Sequence, residues 1–147
     1  MAASEAPQAK HEEAGASQST NGSLNAAISN AVVKMLAEST GRGPTKARTT
    51  IDRDLVMVVL QDTLTKGERF LVESERSAQV LEMRRHYQAA METDCRAAVE
   101  RLMGRKVIAF MSANNIGPDI GAEIFILEPD NGRPPAADLA TSHAERG

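Results

Sequence analysis

A single cysteine, Cys95, stands in 147 residues, so the chain can build neither a disulfide framework nor a thiolate zinc site. Tryptophan is absent and aromatics make up only 3% of the residues, which removes the stacking platforms that single-stranded nucleic-acid binders use. Charge of one sign is also scarce. With a net charge of −3, the chain as a whole has no long-range attraction for nucleic acid, and nucleic acid is not an expected partner. The longest aliphatic run, Leu55 to Leu60, falls far short of the ~20 residues that a membrane-spanning helix needs. Residues Met1 to Pro7 show no basic start followed by an apolar stretch, so no secretory signal is expected. These absences together place the protein in the cytoplasm as an expectation, with no direct membrane span.

Large apolar residues are scarce at both ends, with none after Met1 in the first stretch. Residues 1–21 are rich in Ala, Ser, Gln and Glu, and 130–147 hold Asn131-Gly132, Pro134-Pro135 and one leucine, Leu139. Segments of this kind bury too little surface to offset the entropy of ordering, and both are predicted to be disordered tails. One folded domain is predicted between them, over residues 22–129.

Within that domain Leu24, Ala27, Ile28, Ala31, Val32, Met35 and Leu36 recur at helical spacing until Ser39-Thr40-Gly41 and Pro44 stop the run. Residues Thr45 to Ile51 alternate polar and apolar, Asp52-Arg53-Asp54 is a turn, and Leu55 to Leu60 is a β-branched run, which together predict a hairpin. Thr65-Lys66-Gly67-Glu68 has the spacing of a capping box and starts a helix. After a break near Ser74 to Ser77, a long helical pattern runs through Val80, Met83, Tyr87, Met91, Cys95, Ala98 and Leu102 to Gly104. Two more strands, Val107 to Met111 and Ala122 to Leu127, flank a loop from Ser112 to Gly121. The expected fold is α+β, in the order α-β-β-α-α-β-β. It consists of a four-stranded mixed or antiparallel sheet with helices on one face.

That arrangement leaves one sheet face uncovered. Side chains alternate along a strand, so Val56, Val58 and Leu60 share one face and Leu55, Met57 and Val59 the other, and both sets are apolar. A homodimer that buries the uncovered face is therefore expected. Val56, Val58 and Leu60 form the candidate dimer interface.

The segment Gly41-Arg42-Gly43-Pro44-Thr45-Lys46-Ala47-Arg48 sets three cations beside flexible backbone amides. Arg42, Gly43, Thr45, Lys46 and Arg48 are candidate anion-binding residues. The competing reading is a helix C-cap with its cations at the negative end of the helix dipole. The full Gly-x-x-x-x-Gly-Lys-Ser/Thr pattern of a nucleotide P-loop is missing. Asp52, Asp54 and Asp62 near strand ends have the chemistry of hard-cation ligands, but turn chemistry accounts for the first two equally well, and no metal site is assigned. His86 reads as a surface histidine and Cys95 as a small core residue. Met83, Met91 and Met103 read as core filler. Asn114, Asn115, Asp119 and Glu123 flank the last hairpin loop and compose a polar tip. No nucleophile–base or paired-carboxylate arrangement can be placed, so the chain is not expected to be an enzyme or to carry a cofactor.

Taken in order, the stretches Gly41-Arg42-Gly43-Pro44-Thr45-Lys46-Ala47-Arg48, Asp54 to Leu60, Leu64-Thr65 and Gly104 to Phe110 resemble the MpsC-type domain family. That family is named for a bacterial sodium-translocating, membrane-potential-generating system, and the resemblance extends from about Ser23 to Pro129. It carries no catalytic residue set to transfer. Moving an ion against a potential requires a polar path sealed inside a bilayer, which only helix bundles or closed barrels supply. The resemblance therefore implies a non-catalytic cytoplasmic accessory or regulatory module, with a membrane-protein complex as an expected partner besides a second copy of the chain. The alternative is an anion or nucleic-acid binding protein using Arg42, Lys46 and Arg48.

Overall fold

The computed structural model describes residues 12–130, with side chains from Asn21 onward. Its elements are α1 (Glu12–Thr40), β1 (Lys46–Asp52), β2 (Leu55–Gln61), α2 (Lys66–Glu73), α3 (Ser77–Met103), β3 (Val107–Asn115) and β4 (Ile120–Leu127). The order is the predicted α-β-β-α-α-β-β. All strand pairs are antiparallel, in the sheet order β1-β2-β4-β3.

The largest departure from the sequence reading lies at the N-terminus. Helix α1 opens at Glu12, well inside the stretch expected to be disordered, and extends ~43 Å over its 29 residues. Its C-terminal half carries the buried stripe Ile28, Val32 and Leu36. Once that half is held by packing, each further residue added backwards gains a backbone hydrogen bond with no new nucleation cost. The Ala, Glu and Gln of residues 12–20 are good helix formers and sustain the extension. Residues 1–11 and 131–147, the rest of the two expected tails, lie outside the described residues.

The helix boundaries follow local chemistry. Gly41, at φ 82°, ends α1 by donating its N–H to Ala37 O at 2.9 Å. Thr65 caps α2 with the predicted box. Its hydroxyl accepts from Glu68 N at 3.1 Å, and the Glu68 carboxylate accepts from Thr65 N at 3.0 Å. Gly104, at φ 65°, closes α3 with a bond to Glu100 O at 2.8 Å.

Helices α1 and α3 both lie on the same face of the sheet, α1 over β1 and α3 over β3. The core is formed there by Ile28, Val32 and Leu36 from α1, Met91, Cys95 and Val99 from α3, and Val56, Val58, Leu60, Phe125 and Leu127 from the sheet. The Phe110 and Phe125 rings meet at 5.0 Å between centroids. The strand pairing explains why this face was chosen. Thr49 sits opposite Val58 and Ile51 opposite Val56, so the weakly apolar side of β1, Ala47 and Ile51, shares a face with Val56, Val58 and Leu60. The other side of β1 is Lys46, Arg48, Thr50 and Asp52, which no helix could cover without burying charge.

Val56, Val58 and Leu60 therefore are not a dimer interface. They are 0%, 0% and 2% exposed beneath the helices. The uncovered set is the other one, Leu55, Met57 and Val59.

Strands β3 and β4 also run further than expected and take in most of the predicted loop from Ser112 to Gly121. Ser112, Asn114 and Asn115 are polar, yet the stretch from Ser112 to Asn115 pairs in register with Ile120 to Glu123, and cross-strand bonding carries the hairpin to its tip. A bulge between Val107 and Ala109 leaves Ile108 half exposed.

Candidate functional site

Among the described residues, the sheet face that no helix covers presents an apolar surface outside the core. Along it lie Leu55, Met57 and Val59 of β2, Ile120, Ala122, Ile124 and Ile126 of β4, and Met111 of β3, which is 50% exposed. The β2 and β4 residues shield one another at intermediate exposure, as neighbours on a bare sheet do. Strands that are apolar on both faces are characteristic of sheets covered on both sides. Large apolar areas left open on folded proteins are commonly sites of interaction.

Its β1 edge is charged. Lys46, Arg48, Thr50 and Asp52 are all exposed and alternate with the inward Ala47, Thr49 and Ile51. Thr45, Lys46, Ala47, Arg48, Val59 and Gln61 line a shallow depression of about 620 Å³ at one end of this edge.

The candidate anion segment is not assembled as a cradle. Arg42 turns inward, where one guanidinium nitrogen donates to the carbonyls of Asp62 and Leu64, both at 2.8 Å, and the other to the Asp62 carboxylate at 2.7 Å. Arg69 binds the second Asp62 oxygen. The Arg42 hydrogen bond is the main reason the Asp62 carboxyl is held below its usual range. Gly43 packs against α1, where a Cβ would meet Val33 Cγ1 at 3.3 Å. Thr45 donates its N–H to Gln61 O at 3.2 Å. Of the proposed cations only Lys46 and Arg48 still face solvent, and they belong to the open sheet face. The three aspartates do not converge either. Asp52 and Asp54 lie at the β1–β2 turn, while Asp62 follows the far end of β2, roughly 25 Å along the strand.

A second polar cluster sits at the end of the sheet that holds Asp62, and the sequence reading missed it. Arg84, only 8% exposed on the buried side of α3, donates to both Glu68 carboxylate oxygens at 2.7 and 3.1 Å and to Thr63 O at 2.8 Å. Its remaining nitrogen reaches Thr63 Oγ1 at 2.9 Å and Asn114 Oδ1 at 3.4 Å. The Thr63 hydroxyl in turn donates to Asp119 at 2.8 Å, and Leu64 N donates to the same carboxylate at 2.9 Å. Burial pushes the Glu68 carboxyl up, but the Arg84 and Thr65 bonds outweigh it and leave it below the usual range. Every Arg84 donor is satisfied within the fold, so this cluster ties α2, α3 and the β3–β4 hairpin together and offers no vacant group to a ligand. The one trace of it in the sequence is a charged residue on the α3 stripe: Val80, Arg84, Met91 and Cys95 face inward, whereas Tyr87 does not.

The predicted polar tip is divided. Asn115 is exposed and bonds the Pro118 carbonyl at 2.6 Å, and Asp119 serves the cluster just described. Glu123 is 5% exposed on the helix-covered face, where Ser112 Oγ donates to it. Burial pushes the Glu123 carboxyl up to about 7, opposed by Ser112 and by the nearby Arg84 and Gln88. Burial likewise raises the Cys95 thiol to about 12, with Glu123 and Asp94 adding to it, so Cys95 is a protonated core residue in contact with Met35 Sδ at 3.8 Å.

No helix among the described residues is long and apolar enough to cross a membrane. Neither a curated protein nor a solved structure matches the chain. The family model described as "Na+-translocating membrane potential-generating system (MpsC)" does match, over residues 20–129, from within α1 to two residues past β4, and the chain therefore belongs to the MpsC family.

Proposed function

We propose that this chain is a non-catalytic accessory module of the Na+-translocating, membrane potential-generating system for which its family is described, and that it works as a homodimer joined through the open sheet face. The observation that carries the reading is that face itself. It holds a continuous apolar area on β2, β4 and β3, while the Arg42–Asp62 and Arg84–Glu68 clusters are engaged within the fold. With no spanning helix among its described residues, such a module contributes to the system by contact with other proteins, and an apolar sheet face is the physical means of contact.

Met57→Lys tests the proposal, because it places a charge at the centre of the open face and leaves the core intact. In sedimentation equilibrium at micromolar concentration the wild type is expected at twice 15.8 kDa and Met57→Lys at 15.8 kDa, with unchanged circular dichroism. In source cells lacking the chain, the Na+-dependent membrane potential read with a potential-sensitive dye is expected to fall, and to be restored by the wild type but not by Met57→Lys. A monomeric wild type, or a potential indifferent to loss of the chain, would overturn the proposal.

A further inference from the structure

The open face is built in rows, and the rows differ. The strand register sets Thr50, Met57, Ile124 and Met111 side by side across the sheet, a ridge of long side chains apart from the edge threonine. The next open-face row is Arg48, Val59, Ala122 and Ala113, a trough of short ones apart from the edge arginine. Between them runs the inward-pointing row Thr49, Val58, Glu123 and Ser112. On the β1 edge the charge is also split about this central row: Lys46 lies three positions to one side of Thr49, and Asp52 three positions to the other. Among the described residues neither makes an ion pair within the chain.

A surface that carries a ridge beside a trough, and a cation opposite an anion about the same line, is complementary to itself under one rotation. We propose that two copies stack face to face about a two-fold axis running across the strands over the Thr49–Val58–Glu123–Ser112 row. The ridge of each copy then enters the trough of the other, and Lys46 of each meets the partner's Asp52. This orientation rests on the reading that the open face binds a second copy, and it names which of the two simple two-folds is used.

The other two-fold, along the strands, fails on both counts. It lays Met57 and Ile124 against the same ridge of the second copy, which leaves trough facing trough and a gap between the sheets. It also places Lys46 and Arg48 over β3, whose open-face residues Ala109, Met111, Ala113 and Asn115 include no carboxylate. Sheets stacked face to face pack ~10 Å apart with their strands about 30° from alignment. At the edge of such a stack the long Lys46 side chain can still reach a carboxylate at the far end of the partner's β1. Lys46 and Asp52 thus determine orientation, and the apolar rows supply most of the binding.

Charge reversal and charge exchange test the geometry. Both positions are exposed, so Lys46→Glu, Asp52→Lys and the double variant should keep the wild-type circular dichroism, and the wild-type Tm at concentrations low enough for all of them to be monomeric. By symmetry each single variant turns two attractions into two repulsions. Each is expected to weaken the dimerisation constant about tenfold or more at low ionic strength, and less in high salt. Lys46→Glu/Asp52→Lys restores opposite charges at both contacts and is expected to recover dimerisation to within about threefold of wild type. Dimers unaffected by the single reversals, or a double variant as weak as the singles, would overturn this orientation and leave self-association standing. A wild type that sediments as a monomer would overturn both.

Discussion

The two faces of the sheet are nearly equal in hydrophobicity and opposite in fate. Val56, Val58, Leu60, Phe125 and Leu127 are almost wholly buried, whereas Leu55, Met57, Val59, Ile124 and Ile126 are only partly shielded by their neighbours. The central strands do not distinguish the faces, because both sides of β2 read as core. The edge strand does. Alternation in β1 places Lys46, Arg48 and Asp52 on one side, and covering that side with a helix would bury charge. The polar edge of a sheet can thus decide which side of its apolar centre becomes the core.

The same charge placed on each face should have opposite consequences. Val58→Lys buries an ammonium beneath α1 and α3 and is expected to cost at least about 4 kcal/mol, a large share of the stability of an ordinary domain. Met57→Lys, one residue away, is expected to change the stability of the protomer by less than about 0.5 kcal/mol. Urea denaturation of the two variants at equal low concentration measures the difference. Equal destabilisation would mean that the faces are not distinguished as described.

A smaller effect is expected at the polar end of the covered face. Arg84→Met leaves Glu68, itself 4% exposed, as a buried carboxylate without its cation, and is expected to cost about 3 kcal/mol. The same substitution at the exposed Arg85 should be near neutral. Comparison of the two denaturation midpoints checks this.

Glu123 gives the most specific effect, because it is the one carboxylate on the inner face of the sheet. Its folded pKa of about 7 lies above the ordinary 4.5, so the folded protein binds more protons than the unfolded chain between those values. Stability from this group is therefore fully present below about pH 4.5, falls as pH rises to about 7, and is flat beyond, with a total change of at most about 3 kcal/mol. Glu123→Gln should flatten that slope. A slope equal to wild type in denaturation midpoints between pH 5 and 8 would place the titrating group elsewhere.

Much of this architecture could be read from local chemistry. The Thr65–Glu68 box, the Gly41 and Gly104 caps and the switch from helical to alternating periodicity each depend on residues within a few positions of one another, so they specified element order and helix ends directly. The capping reading of the Arg42 segment was equally local, and the structure extends it, since Arg42 binds Asp62 and Leu64 about twenty residues away. What was illegible involved distant partners. Arg84 meets Glu68 only because α2 folds back on α3, and a lone arginine on an apolar helical stripe does not reveal its counter-ion. The start of α1 escaped notice because weakly apolar residues carry little periodicity, although a packed helix can propagate through them.

By itself the sequence determined the order of the elements, the caps of α2 and α3, the antiparallel hairpin at Asp52 to Leu55, and an excess of apolar strand surface over available helix. Local propensity, turn chemistry and the two-residue alternation of strands are properties of neighbouring residues, and they act before any long-range contact forms. Only the tertiary structure decided which apolar face is core, that Arg42 serves the β2–α2 loop, and that Glu123 is held near neutral pKa beneath α3. Each of these depends on which elements come together across the sheet, and burial, desolvation and ion pairing have no value until that assembly exists.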